Sequence, residues 1–203
     1  MIDLRQFYIN GQWIAPETPK ELIVENPSTE EKIGVISLGS DIDVDKAVVA
    51  ARNAFSLFSL SSKEERIALL EKLLSAYMNR YDEMAQAISQ EMGAPIDFAT
   101  SDQADCGRGH IQTALDALKD YEFEHHSANA TISHEPIGVC GFIIPLNWPI
   151  NKIVCKVAPA LATGCPIGLK PSDIAPLSAH VFAKIIYDAV YRPGLLHYGH
   201  GAG

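Results

Sequence analysis

The chain has 203 residues, 47% hydrophobic and 20% charged, with a net charge of −9. That length holds one generous domain or two small ones with an ample core. The charge leaves no dense Lys/Arg face to release counterions, which excludes a nucleic acid or an anionic membrane as partner. Cysteines at 106, 140, 155 and 165 form no C-x-x-C pair, a spacing of reduced thiols rather than of a disulfide scaffold or a zinc site. Asp3 and Arg5 interrupt any signal peptide, and the uncharged run from Ile137 to Asn151 is too short to span a bilayer. A soluble, cytoplasmic protein is expected, with no metal site.

From the N-terminus, "FYINGQWI" (residues 7–14) sets Asn-Gly between alternating apolar residues, a two-residue hairpin signal. A second strand pair is expected at 22–24 and 33–36, around the turn-forming "NPSTE". Helical spacing follows over 44–58, with Val44, Val48, Ala51, Phe55 and Phe58 on one face. The next helix opens on Ser62 and Glu65 in capping-box positions and points Ile67, Leu70, Leu74, Tyr77 and Met78 inward. A third covers 82–92 and stops at Gly93, and a fourth covers 97–118. Residues 121–136 are polar and carry a possible strand at 130–134, either half of a surface hairpin or a strand lent to another domain or subunit. From Gly138 the pattern is βαβαβ, with strands at 138–144, 166–169 and 195–198 and helices at 150–162 and 177–190. This is half of a doubly wound α/β fold with a parallel sheet.

Ligands of such folds sit beyond the carboxyl ends of the strands. The first strand ends in Pro145-Leu146-Asn147-Trp148-Pro149, a turn without glycine and poor in N–H donors, so it cannot cradle a phosphate. It offers carbonyl groups and one carboxamide, Asn147. That amide either stabilises an oxyanion formed during reaction or caps the following helix. The second strand ends in "LKPSD": Asp173, with Lys170 and Ser172 beside it, stands where a ribose-binding carboxylate belongs. The third runs into "HYGHGAG", where Gly201 and Gly203 read as a loop approaching a cofactor, and His197 and His200 read as solvated loop histidines.

The ordered set "NPSTEE", "ERIALLEKLL", "ISQEMGAPI", "EPIGVCGFIIPLNWP", "NKIVCKVAPALATGC" and "LKPSDIAPLSA" resembles the N-terminal part of the aldehyde dehydrogenase superfamily. The resemblance implies an NAD-dependent oxidation of an aldehyde to an acid, with NADP as the possible alternative. A cysteine thiolate attacks the aldehyde, Asn147 donates its amide to the oxyanion, hydride passes to the nicotinamide, and a glutamate activates water. Ile143, Ile144 and Pro145 then lie along the cofactor, and Lys170 and Asp173 bind the adenosine ribose. The implied fold is an incomplete Rossmann-like sheet with N-terminal helices and one strand segment of an oligomerisation sheet. Residues 1–121 are the N-terminal part of the cofactor-binding domain, 122–137 the oligomerisation strand segment, and 138–203 the βαβαβ part. The intact protein is expected to be a homo-oligomer, dimer or tetramer.

The departures are specific. Leu146 replaces a frequent tryptophan, Asp173 is one methylene shorter than the usual glutamate, Gly168 stands at a β-branched position, and Val190-Tyr191-Arg192 breaks the usual helix exit. None of Cys106, Cys140, Cys155 or Cys165 matches the nucleophile, and the catalytic glutamate has no match either. The chain is therefore expected to be a truncated portion of such an enzyme, inactive alone. The alternative is a noncatalytic nucleotide-binding or subunit-interaction module.

Overall fold

The computed structural model describes residues 1–189 and 193–201; the readings of Val190-Tyr191-Arg192 and of Gly203 fall outside the described residues. Three short strands open the chain, β1 (Ile2–Leu4), β2 (Phe7–Ile9) and β3 (Gln12–Ile14), and the last two form the expected hairpin. Asn10 and Gly11 both have positive φ, 52° and 77°, the left-handed pair that a tight hairpin turn demands. β4 (Lys20–Glu25) and β5 (Lys32–Leu38) pair antiparallel, and β1 adds to β5 in parallel, giving the order β1-β5-β4. At three residues, β1 is too short to show an alternating pattern.

Helices α1 (Asp41–Phe58), α2 (Lys63–Asn79) and α3 (Tyr81–Met92) follow. The capping box of α2 is present, with Glu65 N–H donating to Ser62 Oγ at 3.1 Å and Ser62 N–H to Glu65 Oε2 at 2.9 Å. Two expected faces are rotated. The buried stripe of α2 is Arg66, Leu70, Leu73 and Tyr77, while Met78 is 46% exposed. On α1, Ala51 and Phe58 are buried, but Val44 is 61% exposed because it faces a cleft described below.

The helix expected over 97–118 is interrupted. A short α4 (Ile96–Phe98) runs into a π-helical segment (Ala99–Ala104) and then α5 (Asp105–Asp120). Tyr81 donates its hydroxyl to Thr100 O (2.6 Å) and Tyr77 to Ala104 O (2.7 Å), supplying from α3 and α2 hydrogen bonds to carbonyls of the widened turn.

Next, β6 (Glu124–Ser127) and β7 (Ala130–Ser133) form a two-stranded hairpin exposed along both strands. The alternation of β8 (Cys140–Ile143), α6 (Pro149–Ala162), β9 (Ile167–Lys170), α7 (Leu177–Ala189) and β10 (Leu196–Tyr198) matches the expected βαβαβ. The sheet order is β3-β2-β10-β9-β8, with the last three strands mutually parallel. The N-terminal hairpin adds antiparallel to β10, so the sheet is mixed and one edge of the parallel part is covered.

His197 locks that junction. Its Nδ1 accepts Asn10 N–H at 3.2 Å and its Nε2 donates to Gly194 O at 3.1 Å, which fixes the neutral tautomer. The expectation of solvated histidines is thus overturned: His197 and His200 are both buried. His200 hydrogen-bonds Tyr198 Oη at 2.7 Å, and His180 packs its ring on Trp13. Buried Glu91 accepts N–H groups from Leu177 and Ser178 at the start of α7, a cap supplied by another helix.

These groups give the fold a pH dependence. Burial lowers the pKa of His180 to about 4, with Lys184 adding to the effect, and of His200 to about 3, with His180 and Lys170 adding to it. Unfolded, both return to 6.5, so on acidification the unfolded state takes up protons first and their stabilising contribution is lost as pH falls toward the folded values. Glu91 opposes them. Burial raises it from 4.5 to about 7 despite its hydrogen bonds, so its contribution is complete at low pH and lost as pH rises through 7. Burial also lowers His197, so three depressed histidines stand against one raised carboxyl, and the net effect is a loss of stability on acidification between about pH 6.5 and 4.5. Urea unfolding across that window should show stability falling with pH, and replacing His180 and His200 together by Asn should flatten or reverse the slope.

Candidate functional site

The turn after β8 explains the chain reversal without glycine. Trp148 is the N-cap of α6 and lies in the left-handed region, φ 54° and ψ 63°. A residue before proline is kept out of the right-handed helical region, and Pro149 is preset for the first helical position. With those two restrictions the left-handed conformation at Trp148 ends the short loop after β8 and starts α6. Trp148 O accepts the N–H of Lys152 at 3.1 Å, and the indole meets Phe98 edge to face, 5.8 Å between centroids and 82° between planes. Asn147 is exposed and is not the cap; α6 has no side-chain cap hydrogen bond. One helical turn on, Asn151 Oδ1 takes a short hydrogen bond from the His110 ring of α5.

Between the sheet and α1 lies a cleft of about 550 Å³ that runs over the face of β8, β9 and β10 to their carboxyl ends. Its floor includes Gly141, Gly168 and His197, which pair in one cross-strand row, and its far wall is Val44, Ala47 and Val48 of α1. A Cβ at Gly141 or Gly168 would meet nothing within 4 Å, so glycine keeps this floor flat and open, at Gly168 in place of the expected β-branched residue. Phe7, Ser40, Asp43 and Gly141 also line the cleft. None of these was assigned to the site from the sequence, because only sheet pairing and the docking of α1 bring them there.

Three expected cofactor contacts come together on this cleft: Ile143, Lys170 and Gly201. Ile143 is 78% exposed on that side, whereas Ile144, the next residue of the strand, is 3% exposed in the core. Ile144 N–H donates to Lys170 O at 2.9 Å, which carries the β8–β9 pairing past the strand end. A Cβ on Gly201 would lie 3.6 Å from Lys170 Cε, so the glycine loop runs close beside the lysine stem. Pro145 is exposed at the start of the turn. Ser172 and Asp173 are half-buried in the loop after β9, where Ser172 Oγ accepts Ile174 N–H.

At the mouth of α1, buried Asp43 is kept ionised. Burial opposes the charge, but N–H donors from Ser40 and Glu17 and the Ser40 hydroxyl outweigh it and hold the pKa below the usual value. Burial pushes up the thiols of Cys106, beside Asp105 and Asp102, and of Cys140, beside Cys165, the opposite of what a nucleophilic thiolate needs. Among the described residues no group of three or more His, Cys, Asp or Glu is disposed to hold a metal ion, and no helix is long and apolar enough to cross a membrane. The cleft thus combines a flat glycine floor with a lysine and a glycine loop at its edge, near the carboxyl ends of parallel strands.

Comparison with known proteins agrees with this geometry. A model described as the aldehyde dehydrogenase family matches residues 13–203. The 3-succinoylsemialdehyde-pyridine dehydrogenase of a Pseudomonas species is 48% identical over the whole chain, which covers 43% of that protein. A putative aldehyde dehydrogenase of Staphylococcus aureus is 42% identical with the same coverage, so the chain spans less than half the length of the curated relatives it matches. Among solved structures, an aldehyde dehydrogenase from Bartonella henselae superposes with a TM-score of 0.97 at 45% identity, over all of this chain and 44% of that one. A mutant aldehyde dehydrogenase C from Pseudomonas syringae, solved with NAD+ and octanal, gives a TM-score of 0.96 at 44% identity, over 98% of this chain and 41% of that one. The match over nearly the whole sequence, with the same fold, places this chain in the aldehyde dehydrogenase family.

Proposed function

We propose that the chain is the N-terminal, cofactor-holding part of an NAD-dependent aldehyde dehydrogenase that oxidises an aldehyde to a carboxylic acid. The observation that carries this reading is Asn147, an exposed carboxamide on a turn fixed by Trp148 and Pro149, unused as a helix cap. A carboxamide donor in the loop between β8 and α6, past the carboxyl end of a parallel strand, is suited to charge that develops on a reacting oxygen. Ile143, with the main-chain carbonyls of Ile144 and Pro145, lies along the cofactor, Gly201 approaches it, and Lys170 with Asp173 takes the ribose hydroxyls while Ser172 shapes their loop. The bound cofactor supplies the hydride acceptor. The raised thiols of Cys106 and Cys140 argue against either as nucleophile; since no cysteine or glutamate of the chain matches the family's catalytic pair, this reading has the attacking thiolate and the water-activating carboxylate supplied from outside these residues. The β6–β7 hairpin, exposed on both strands, is the segment we assign to assembly of a dimer or tetramer.

In the full-length enzyme, Asn147→Ala should lower kcat on the order of 10²-fold with little change in NAD affinity, because the amide acts on charge present mainly in the transition state. Steady-state kinetics with NAD titration checks this, and an unchanged kcat would sink the assignment. The enzyme should also prefer NAD to NADP, since a carboxylate at Asp173 accepts from ribose hydroxyls and repels a 2′-phosphate. Comparable kcat/KM for the two cofactors would refute that, and Asp173→Asn should narrow the gap. The 203-residue polypeptide by itself should produce no reduced nicotinamide from a panel of aldehydes. Turnover that disappears on mutating one of its four cysteines would show instead that the nucleophile is here.

A further inference from the structure

Trp148 is the one bulky aromatic among the four described non-glycine residues with positive φ. It is followed by a proline, preceded by Asn147, and its indole is 37% exposed, so burial alone does not hold it. What it touches is Phe98, edge to face, at the last residue of α4. Phe98 in turn sits where the chain widens into the π-helical segment, and two buried or half-buried hydroxyls, Tyr77 and Tyr81, anchor that segment through Ala104 O and Thr100 O. An inserted π turn shifts the helix face by about one residue relative to a regular helix, and this register sets where Phe98 points. Strained backbone next to a functional side chain persists where the surroundings over-determine it.

We propose that Phe98 is a positioning residue for the reaction: by packing against the indole it holds Trp148 in the left-handed conformation that aims the Asn147 carboxamide. This rests on the reading of Asn147 as the oxyanion donor. Phe98 touches neither substrate nor cofactor in this role. Its removal leaves the turn free to relax toward the extended conformation that a residue before proline prefers, swinging Asn147 away.

The test is a double-mutant cycle in the full-length enzyme, with kcat and the KM values for aldehyde and NAD measured for each variant. Phe98→Ala should lower kcat about tenfold, as small misplacements of a catalytic group do, with KM for NAD unchanged. Phe98→Tyr, which keeps the edge-to-face contact, should restore wild-type kcat. Phe98→Leu, which keeps apolar bulk without the ring, should fall between them and serves if the alanine variant is insoluble. In an Asn147→Ala background, Phe98→Ala should cause no further loss, because the amide it aims is gone. An equal loss in both backgrounds, or wild-type kcat for Phe98→Ala and Phe98→Leu while Asn147→Ala is slow, overturns this inference and leaves the reading of Asn147 standing. A wild-type kcat for Asn147→Ala overturns both.

Discussion

The left-handed backbone at Trp148 is the constraint on which the site depends. For a bulky L-residue that conformation costs roughly 1–2 kcal/mol, and it is held by the helix that starts there and by the packing of the indole on Phe98. Its effect is to turn β8 into α6 without a glycine loop. Ile143 pairs in register with Lys170, Ile144 N–H carries the pairing one residue further, and Ile143 and Lys170 meet side by side at the cleft. Because the cap belongs to Trp148, the preceding carboxamide is left without a structural task.

The second organising feature is the way the N-terminal segment completes the sheet. β2 pairs with β10 through a single register position, Tyr8 to Tyr198, and the histidine in the middle of β10 ties the hairpin turn to Gly194. α1 then docks across the same end of the sheet and supplies the far wall of the cleft. Its Val44 and Val48 look like core residues by spacing but are turned toward open space. The cleft is therefore assembled from both ends of the described chain, which are distant in sequence and joined by hydrogen bonding.

Polar groups buried at this junction are neutralised by different means. His197 is fixed by two hydrogen bonds, Tyr198 and His200 share one, Glu91 caps α7, and burial keeps His180 uncharged. From the sequence, His197 and His200 read as solvated loop histidines, and Glu91 and His180 drew no reading. Burial of this kind is visible only when partners from other elements, such as Asn10 for His197, are in place.

Local signals determined much of this protein. Asn-Gly specified the hairpin, Ser62 and Glu65 the start of α2, Gly93 the end of α3, and Pro149 the first turn of α6, because each acts within a few residues through backbone geometry or a capping bond. The order of strands and helices gave the half-wound sheet, and the motif set gave the family. Tertiary structure alone decided which face of α1 meets the core, that the Asp97–Leu118 stretch contains a π turn, and that Trp148 rather than Asn147 caps α6. It also decided that Gly141, Gly168 and His197 share one row under the cleft. Those outcomes depend on hydroxyls, rings and strand registers contributed from distant parts of the chain, and a local pattern carries no record of which distant group will arrive.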